Sequence, residues 1–282
     1  MRCMNRPIAP CQVRAGAVAL LLFFSAAVVA APAVPSELAA LYRSRVDKVL
    51  DVPADEVPRY QRLADGALMG AHAEVSHAQY LLVVDRDPRV QAALLFWRSA
   101  VGEYRFIGAS PVSTGRPGEF DHFETPAGVF DHSPSNPDFR AEGTFNSNGI
   151  RGYGERDMRV YDFGWQLAPK GWGDGAVMEM RLQMHATDAE LLERRLGSAQ
   201  SKGCVRIPAT LNTLLDRYGV LDAEYERLAG GGQKFWVLRE DRETVSDPGR
   251  YLVIVDSARS DRPEWSSAPY IPHVPRPSST KR

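Results

Sequence analysis

The sequence predicts an α+β fold, mostly β, preceded by a small helical segment. Two observations support this prediction. From Gln79 onward, short apolar runs alternate with turn-forming clusters, which is typical of β-strands. Before that point, apolar residues recur instead at the spacing of an amphipathic helix. No internal repeat is visible along the 282 residues, so one large domain, or one domain plus a small helical piece, is expected.

Two helices are predicted ahead of the strands. The first covers about residues 36–51, with Ser36 as its N-cap, and the second covers about 58–77. His72 and His77 lie five positions apart, an offset at which side chains on a helix do not face one another. Both histidines are therefore predicted to be surface or packing residues.

Seven strands are predicted in the remainder of the chain. The clearest pattern is that of residues 177–184, where Met and Leu alternate with Glu179, Arg181 and Gln183. Because side chains in a strand point alternately to opposite faces, one face of this strand is expected to lie in the core. The seven runs are 80–84, 92–97, 104–112, 160–167, 177–184, 234–239 and 251–255.

Two further helices are predicted between the strands. Thr187 and Glu190 form a Thr-x-x-Glu capping box, which would open a short helix over 187–197. A second helix is expected over 208–219, because a proline suits its first turn and a glycine its end. Residues 257–282 are rich in Pro and Ser, so a disordered or loosely attached tail is predicted.

Residues 1–30 have the features of a secretory signal peptide. Three arginines lie before an apolar run over residues 15–29, and no acidic residue does. The run ends in small residues, as in a signal peptide. The run is shorter than the roughly 20 residues that span a bilayer as a helix, and an uncleaved membrane anchor is the alternative. Cleavage is predicted after Ala30, which would give an exported, periplasmic protein. No cysteine follows the apolar run directly, so a lipid-anchored N-terminus is not expected.

The charge of the chain excludes one class of partner. Loss of residues 1–30 would leave 31 of the 34 basic residues against 35 acidic ones, a net charge of −4. Nucleic-acid binding needs a concentrated basic face, so no nucleic-acid partner is predicted. His122, His132 and His185 lack the spacings of metal-binding motifs, and no metal or other cofactor is expected.

One cysteine remains after the predicted cleavage. Cys3 and Cys11 lie in the signal segment, which leaves Cys204 without a partner for an internal disulfide. Export leads to an oxidising compartment, where an unpaired thiol usually has a chemical role. The chemistry expected of such a thiol, with a histidine at some distance in sequence, is nucleophilic attack on an acyl carbon.

The residues around Cys204 suit this chemistry. Gly203 would let a substrate carbonyl approach, and the N–H groups of Gly203 and Cys204 are predicted to face the oxyanion. His185 closes a predicted strand and is the candidate general base, later the general acid. Lys202 and Arg206 would add positive charge that favours the thiolate. A small buried cysteine and a core histidine are the alternative, but Ser201, Lys202 and Gly203 are not expected to be buried.

The order of these residues resembles that of a known family. His185 precedes Cys204, whereas papain-like peptidases have the cysteine first. The segment 201–206 (SKGCVR) resembles the Ser-His-Gly-Cys-(Val/Ile)-Arg signature of the L,D-transpeptidase catalytic domain, which follows a His-Gly-Thr. Further matching stretches are His185-Ala186-Thr187, Leu196-Gly197, Ser113-Thr114-Gly115 and Thr125-Pro126-Ala127-Gly128.

The resemblance covers about residues 79–255 and implies an L,D-transpeptidase-like fold of mixed β-sheets with a cysteine-bearing loop and short helices. It implies that Cys204 attacks the diaminopimelate carbonyl of a peptidoglycan tetrapeptide stem, with His185 as base, and expels D-alanine. An amine of a second stem, or of an outer-membrane lipoprotein lysine, would resolve the thioester. Arg206 would shape the loop or bind a substrate carboxylate. The resemblance as a whole also implies a role in cell-wall organisation and cell shape.

Two positions depart from the family pattern. Lys202 replaces the histidine two residues before the cysteine, and lysine cannot shuttle protons near neutrality unless its pKa falls far. Ala186 replaces glycine, so its backbone must adopt an ordinary conformation. Water as the acceptor would make the protein an L,D-carboxypeptidase or an amidase, and a catalytically silent wall-binding protein is a further alternative.

Four regions are predicted: a signal peptide (1–30), a helical segment (31–78), a catalytic domain (79–256) and a tail (257–282).

Overall fold

A computed structural model of the chain describes residues 31–270. The predicted signal peptide, with its cleavage position, and the end of the predicted tail lie outside the described residues. Within 31–270 the chain forms four α-helices and nine strands, so the expectation of an α+β fold in which strands predominate is confirmed. The elements are α1 (Pro35–Arg45), α2 (Val57–Gly70), β1 (Gln79–Asp85), β2 (Ala92–Arg98), β3 (Tyr104–Pro111), β4 (Gly128–Asp131), β5 (Phe139–Arg140), β6 (Arg159–Pro169), β7 (Val177–His185), β8 (Val205–Arg206), α3 (Ala209–Arg217), α4 (Ala223–Gly230) and β9 (Tyr251–Val255).

The strands form two mixed sheets. A five-stranded sheet has the order β3-β2-β1-β9-β4, in which β1 and β9 are parallel and the other pairs antiparallel. A four-stranded sheet has the order β5-β6-β7-β8, in which β7 and β8 are parallel. The parallel pairing of β7 with β8 brings the end of the histidine-bearing strand beside the strand that follows the cysteine.

The five-stranded sheet lies in the middle of the packing. One face packs against α2, whose buried Tyr60, Ala64 and Leu68 share a core cluster with apolar residues of β1, β2 and β9. The other face shares a second cluster with α1, α3 and the four-stranded sheet. Both sheets therefore bury one face in the same core, as stacked layers of secondary structure require.

Alternation in β7 determines which of its side chains reach the site. Met180, Leu182 and Met184 are buried in the core between the layers, as the alternating pattern predicts. Gln183 and His185 therefore project from the opposite face of the four-stranded sheet. That face is partly covered by the segment that connects β5 to β6.

Two predicted elements are wrong. No helix forms over 187–197; the segment consists of turns and a 3-10 helix at Glu193–Arg195. The Asp188 carboxylate caps the first turn, accepting the amides of Glu190 and Leu191 at 3.1 and 2.9 Å. Residues 234–239 form no strand; Val237 and Leu238 instead pack against Tyr225 of α4, a helix that the sequence did not predict.

The predicted tail is packed on the domain as far as the structure describes it. Ser266 is buried, and its hydroxyl donates to the carbonyl oxygen of Val90 at 2.9 Å. The Trp265 ring packs edge-on against Tyr60 of α2, with ring centroids 6.0 Å apart. The amide of Tyr270 donates to Ser198 at 2.7 Å. The description of 257–270 as disordered or loosely attached is therefore corrected, because these residues pack on α2 and on the loop that precedes β2.

No helix within residues 31–270 is long and apolar enough to cross a membrane.

Candidate functional site

The loop that bears Cys204 is fixed by backbone hydrogen bonds to residues 113–116. The amide of Ser201 donates to the carbonyl oxygen of Thr114 at 2.9 Å, and the amide of Arg116 donates to that of Ser201 at 3.0 Å. Ser113 and Arg206 exchange two further bonds, at 3.0 and 2.9 Å. The nucleophile loop is therefore held at both of its ends by the Ser-Thr-Gly stretch identified in the sequence.

Thr125 joins the matching Thr-Pro-x-Gly stretch to the same loop. Its hydroxyl accepts the amide of Gly115 and donates to the carbonyl oxygen of Gly203, each at 2.7 Å. Gly115 has no room for a side chain, since a Cβ there would lie 1.9 Å from the carbonyl oxygen of Phe123. The segments around Gly115, Thr125 and Gly203 thus meet at one buried hydroxyl.

Gly203 adopts a conformation that favours glycine. Its φ is +131°, a value that L side chains rarely adopt, and a Cβ would lie 2.8 Å from Met180 Sδ. Its amide donates to Ser201 Oγ at 3.0 Å, and that hydroxyl donates to the carbonyl oxygen of Cys204 at 2.5 Å. The structure thus differs from the prediction that the Gly203 N–H is free for an oxyanion.

Cys204 lies immediately before β8, and His185 ends β7, the strand with which β8 pairs. Met184 pairs with Val205 and His185 with Arg206, so the residue before β8, Cys204, adjoins Gln183. The Cys204 Sγ lies 4.0 Å from the carbonyl oxygen of Arg181. Cys204 and His185 both lie within the electrostatic influence of Arg206. The structure therefore brings the two principal predicted residues to one face of the four-stranded sheet.

His185 is held as a neutral imidazole. Its Nδ1 lies 2.5 Å from the carbonyl oxygen of Ala186, and because a carbonyl only accepts, Nδ1 carries the proton and Nε2 the lone pair. Burial lowers the pKa of His185 to about 4, although the Ala186 carbonyl acts in the opposite direction. A neutral imidazole with a free Nε2 can accept a proton from a thiol or an amine.

Cys204 is held as a thiol. Burial raises its pKa, and the negative charge of Asp162 acts in the same direction. The amides of Gln183 and Cys204 and the charge of Arg206 partly oppose this shift. Cys204 is the one free cysteine among the described residues, and it is partly exposed. The site therefore holds a neutral thiol and a neutral imidazole rather than the preformed thiolate that the sequence suggested.

The other predicted site residues differ in burial. Ser201 and Gly203 are buried, contrary to expectation, because they form the hydrogen bonds that anchor the loop. Lys202 is exposed and forms an ion pair with Asp121. Arg206 donates to the carbonyl oxygen of Gln200 at 3.3 Å, and burial lowers its pKa.

Tyr153 is a component of the site that the sequence did not reveal. Its ring packs edge-on against the imidazole of His185, with centroids 4.7 Å apart, and its hydroxyl donates to Gln183 Oε1 at 3.0 Å. Burial raises its pKa, and so does the charge of the Cys204 thiolate when that forms. Tyr153 lies in an irregular segment between β5 and β6, where no sequence pattern marks it.

Among the residues that the structure describes, no group of three or more His, Cys, Asp or Glu side chains could hold a metal ion. Ala186, where the family pattern has glycine, has no positive φ, so alanine is accommodated without backbone strain.

Comparison with known proteins gives only distant similarity. No family model and no curated protein matches the sequence. Among solved structures the chain is similar to the helical cell shape determining protein Pgp2 from Campylobacter jejuni, with a TM-score of 0.29 and 13% identity over 73% of this chain and 59% of that one. A mutant of the same protein gives a TM-score of 0.28 and 12% identity over 76% and 60% of the two chains. The matched region spans less than two thirds of the length of each of these two solved chains.

Proposed function

We propose that the protein is an exported cysteine acyltransferase of the L,D-transpeptidase type that acts on peptidoglycan stem peptides. The observation that supports this most directly is the relation of Cys204 to His185. The Cys204 thiol, just before β8, and the His185 imidazole, at the end of β7, lie on one face of the four-stranded sheet, and within residues 31–270 His185 Nε2 has no hydrogen-bond partner. This pair suits nucleophilic acyl transfer, and the matching stretches at 113–115 and 125–128 both bind the loop that the third stretch, 201–206, forms.

The first half of the reaction forms a thioester. The Sγ of Cys204 attacks the carbonyl at the L-centre of diaminopimelate while His185 Nε2 takes the thiol proton. The amide of Cys204, which lies beside its own sulfur, is the N–H available to the oxyanion. Collapse of the tetrahedral intermediate breaks the amide bond, and the departing amine of D-alanine takes the proton from His185.

The second half transfers the acyl group to an amine of another stem. His185 Nε2 now removes a proton from that amine as it attacks the thioester, and the thiol of Cys204 is regenerated by the returning proton. Because both groups are neutral at rest, proton transfer accompanies attack instead of preceding it. A lipoprotein lysine would react by the same steps, and water would give hydrolysis.

The reaction is tested by incubating the mature protein with disaccharide-tetrapeptide and measuring intact mass and products. The expected result is a covalent adduct that lacks D-alanine and is absent from Cys204→Ala, together with cross-linked dimers. Tripeptide monomers without dimers would instead identify a hydrolase. Lys202→His is the informative companion variant, because it restores the family residue: a rise in dimers relative to monomers would trace the acceptor preference to this position.

A catalytically silent wall-binding protein is the outcome that would overturn the proposal. Labelling with a carbapenem or a thiol reagent distinguishes it, because an enzyme forms an adduct on the wild type and not on Cys204→Ala. Binding to purified peptidoglycan with no adduct on either protein would reduce the function to wall binding. Fractionation of cells tests the associated proposal that the protein is periplasmic.

A further inference from the structure

Arg181 has a guanidinium that is fixed on one edge and open on the other. Its Nε donates to both oxygens of Asp162, at 2.9 and 3.0 Å. Among the described residues, neither Nη group has a hydrogen-bond partner, and the side chain is 34% exposed. Arginine–carboxylate ion pairs are frequently bidentate, with two nitrogens donating to the carboxylate. Here Arg181 binds Asp162 through Nε alone, and its two Nη groups remain available to bind another carboxylate.

The orientation of Arg181 is determined by its neighbours. Asp162 is buried, and its carboxylate also accepts Gln183 Nε2 at 2.9 Å and the amide of Gly164 at 2.8 Å. The guanidinium carbon lies 5.7 Å from the centre of the Trp165 ring, which is itself largely exposed. An anchored carboxylate on one side and an aromatic ring on another hold the guanidinium before any ligand arrives, which lowers the entropic cost of binding.

Arg181 is also close to the candidate nucleophile. Its own carbonyl oxygen lies 4.0 Å from the Cys204 Sγ. Alternation along β7 puts its side chain on the face that bears Gln183 and His185. One extended residue spans roughly 3.5 Å, so a long side chain in this position can reach a group one residue away from an attacked carbonyl.

We infer that the two Nη groups of Arg181 form a subsite for a carboxylate of the acyl donor, one residue from the carbonyl that Cys204 attacks. This inference rests on the proposed function and adds a specificity determinant to it. The planar fork of a guanidinium matches a carboxylate in a bidentate geometry that lysine cannot reproduce. Asp162 and Trp165 are positioning residues for this fork.

Two carboxylates of a tetrapeptide donor are candidates for this subsite. The terminal carboxylate of the leaving D-alanine lies one residue from the attacked carbonyl, and the carboxylate at the D-centre of diaminopimelate lies at the far end of the attacked residue's own side chain. Both present the same chemistry to Arg181, and selective amidation of each separates them.

The experiment measures binding in the Cys204→Ala background, where no reaction intervenes. Isothermal titration compares the free tetrapeptide with the two singly amidated forms, with and without Arg181→Ala. Loss of a hydrogen-bonded charge pair is expected to weaken binding about 10- to 100-fold. Amidation of one carboxylate should produce this loss in the parent protein and almost none when Arg181 is alanine. Arg181→Lys should recover only part of the affinity.

Matched controls separate this role from a structural one. Arg105→Ala removes an exposed arginine of β3, outside the site, and should leave all three affinities unchanged. A structural role of Arg181 would weaken all three peptides equally, so equal loss, or no loss on amidating either carboxylate, overturns the inference. Adduct formation by the wild type is measured separately: if the adduct forms and discrimination is absent, the subsite is wrong and the proposed function stands.

Discussion

The Nδ1 of His185 donates its proton to the carbonyl oxygen of Ala186 at 2.5 Å, which leaves Nε2 as the basic nitrogen of the ring. This bond ties the tautomer to the residue that replaces glycine in the family pattern. The imidazole is at the same time buried, which lowers its pKa, and the Tyr153 ring packs edge-on against it. Orientation and basicity of the candidate base therefore have separate structural origins and can be altered separately.

The pH dependence of adduct formation should reflect the buried imidazole. Protonation of Nε2 removes the base, and since burial lowers the pKa of His185 to about 4, the rate should remain constant on acidification until near that pH. An ordinary imidazole would lose the rate near pH 6.5. The measurement is the rate of adduct formation on the tetrapeptide from pH 3.5 to 8, by intact mass.

A thiol reagent examines the other partner of the pair. Because burial raises the pKa of Cys204, alkylation by iodoacetamide should stay slow through the pH range in which an ordinary thiol ionises, and increase only above it. Fast alkylation at neutral pH would contradict the neutral pair and indicate a thiolate–imidazolium pair, whereas an acidic limb near pH 6.5 for the peptide would indicate an imidazole of ordinary basicity.

Gly203→Ala should damage the loop that bears the nucleophile. At φ +131° a side chain costs about 1–3 kcal/mol, and the new Cβ must also displace Met180 from 2.8 Å. The expected loss in free energy of unfolding is about 2–4 kcal/mol, with loss of adduct formation. Gly232→Ala is the matched control, because φ is +94° there and nothing lies within 4 Å. Equal effects of the two substitutions on stability would show that Met180 is not a constraint.

Thr125→Val should loosen the same loop from another side. Valine has the shape of threonine but neither accepts the amide of Gly115 nor donates to the carbonyl oxygen of Gly203, which leaves two buried groups unpaired. The expected cost is about 2–4 kcal/mol in urea unfolding, and adduct formation should fall as well. Thr125→Ser retains the hydroxyl and should retain most of the stability and most of the adduct formation. If Thr125→Val is as stable and as active as Thr125→Ser, the hydroxyl does not hold the loop.

The part of the structure that the sequence predicted is the part set by local pattern. Six of the seven predicted strands form, because apolar runs and alternation are local properties of buried or half-buried strands. The predicted helix over 187–197 does not form, since the Asp188 side chain caps a tight turn that precedes a 3-10 helix. The predicted strand over 234–239 does not form, because its apolar residues pack against α4 instead of a sheet edge.

The candidate site divides along the same line. Cys204 and His185 could be proposed from residue type, loop composition and order in the chain. The contributions of Tyr153, Arg181 and Thr125 could not, because each depends on a contact between segments distant in sequence. The protonation states also escaped prediction: they depend on burial, and the sequence around Cys204 suggested an exposed, positively charged loop.

The Tyr153 ring packs edge-on against His185, so its removal should expose the imidazole to water and raise its basicity. Burial is the main cause of the low pKa of His185, and the Tyr153 ring packs edge-on against the imidazole, with ring centroids 4.7 Å apart. Tyr153→Ala should therefore move the pKa from about 4 toward 6.5, and with it the acidic limb of adduct formation. Nuclear magnetic resonance of the labelled imidazole measures the pKa of His185, and the pH–rate profile of adduct formation measures the acidic limb.

Tyr153→Phe is the matched variant for this test. It keeps the ring over His185 and removes only the hydroxyl that donates to Gln183 Oε1, so the pKa should remain near its low value. The amide of Gln183 is still held by its bond to Asp162. If the phenylalanine variant titrates like the alanine variant, the hydrogen bond to Gln183, and not the shielding by the ring, sets the basicity of His185. If neither variant moves the titration, the burial of His185 arises from the sheet beneath it, and Tyr153 has no part in tuning the base.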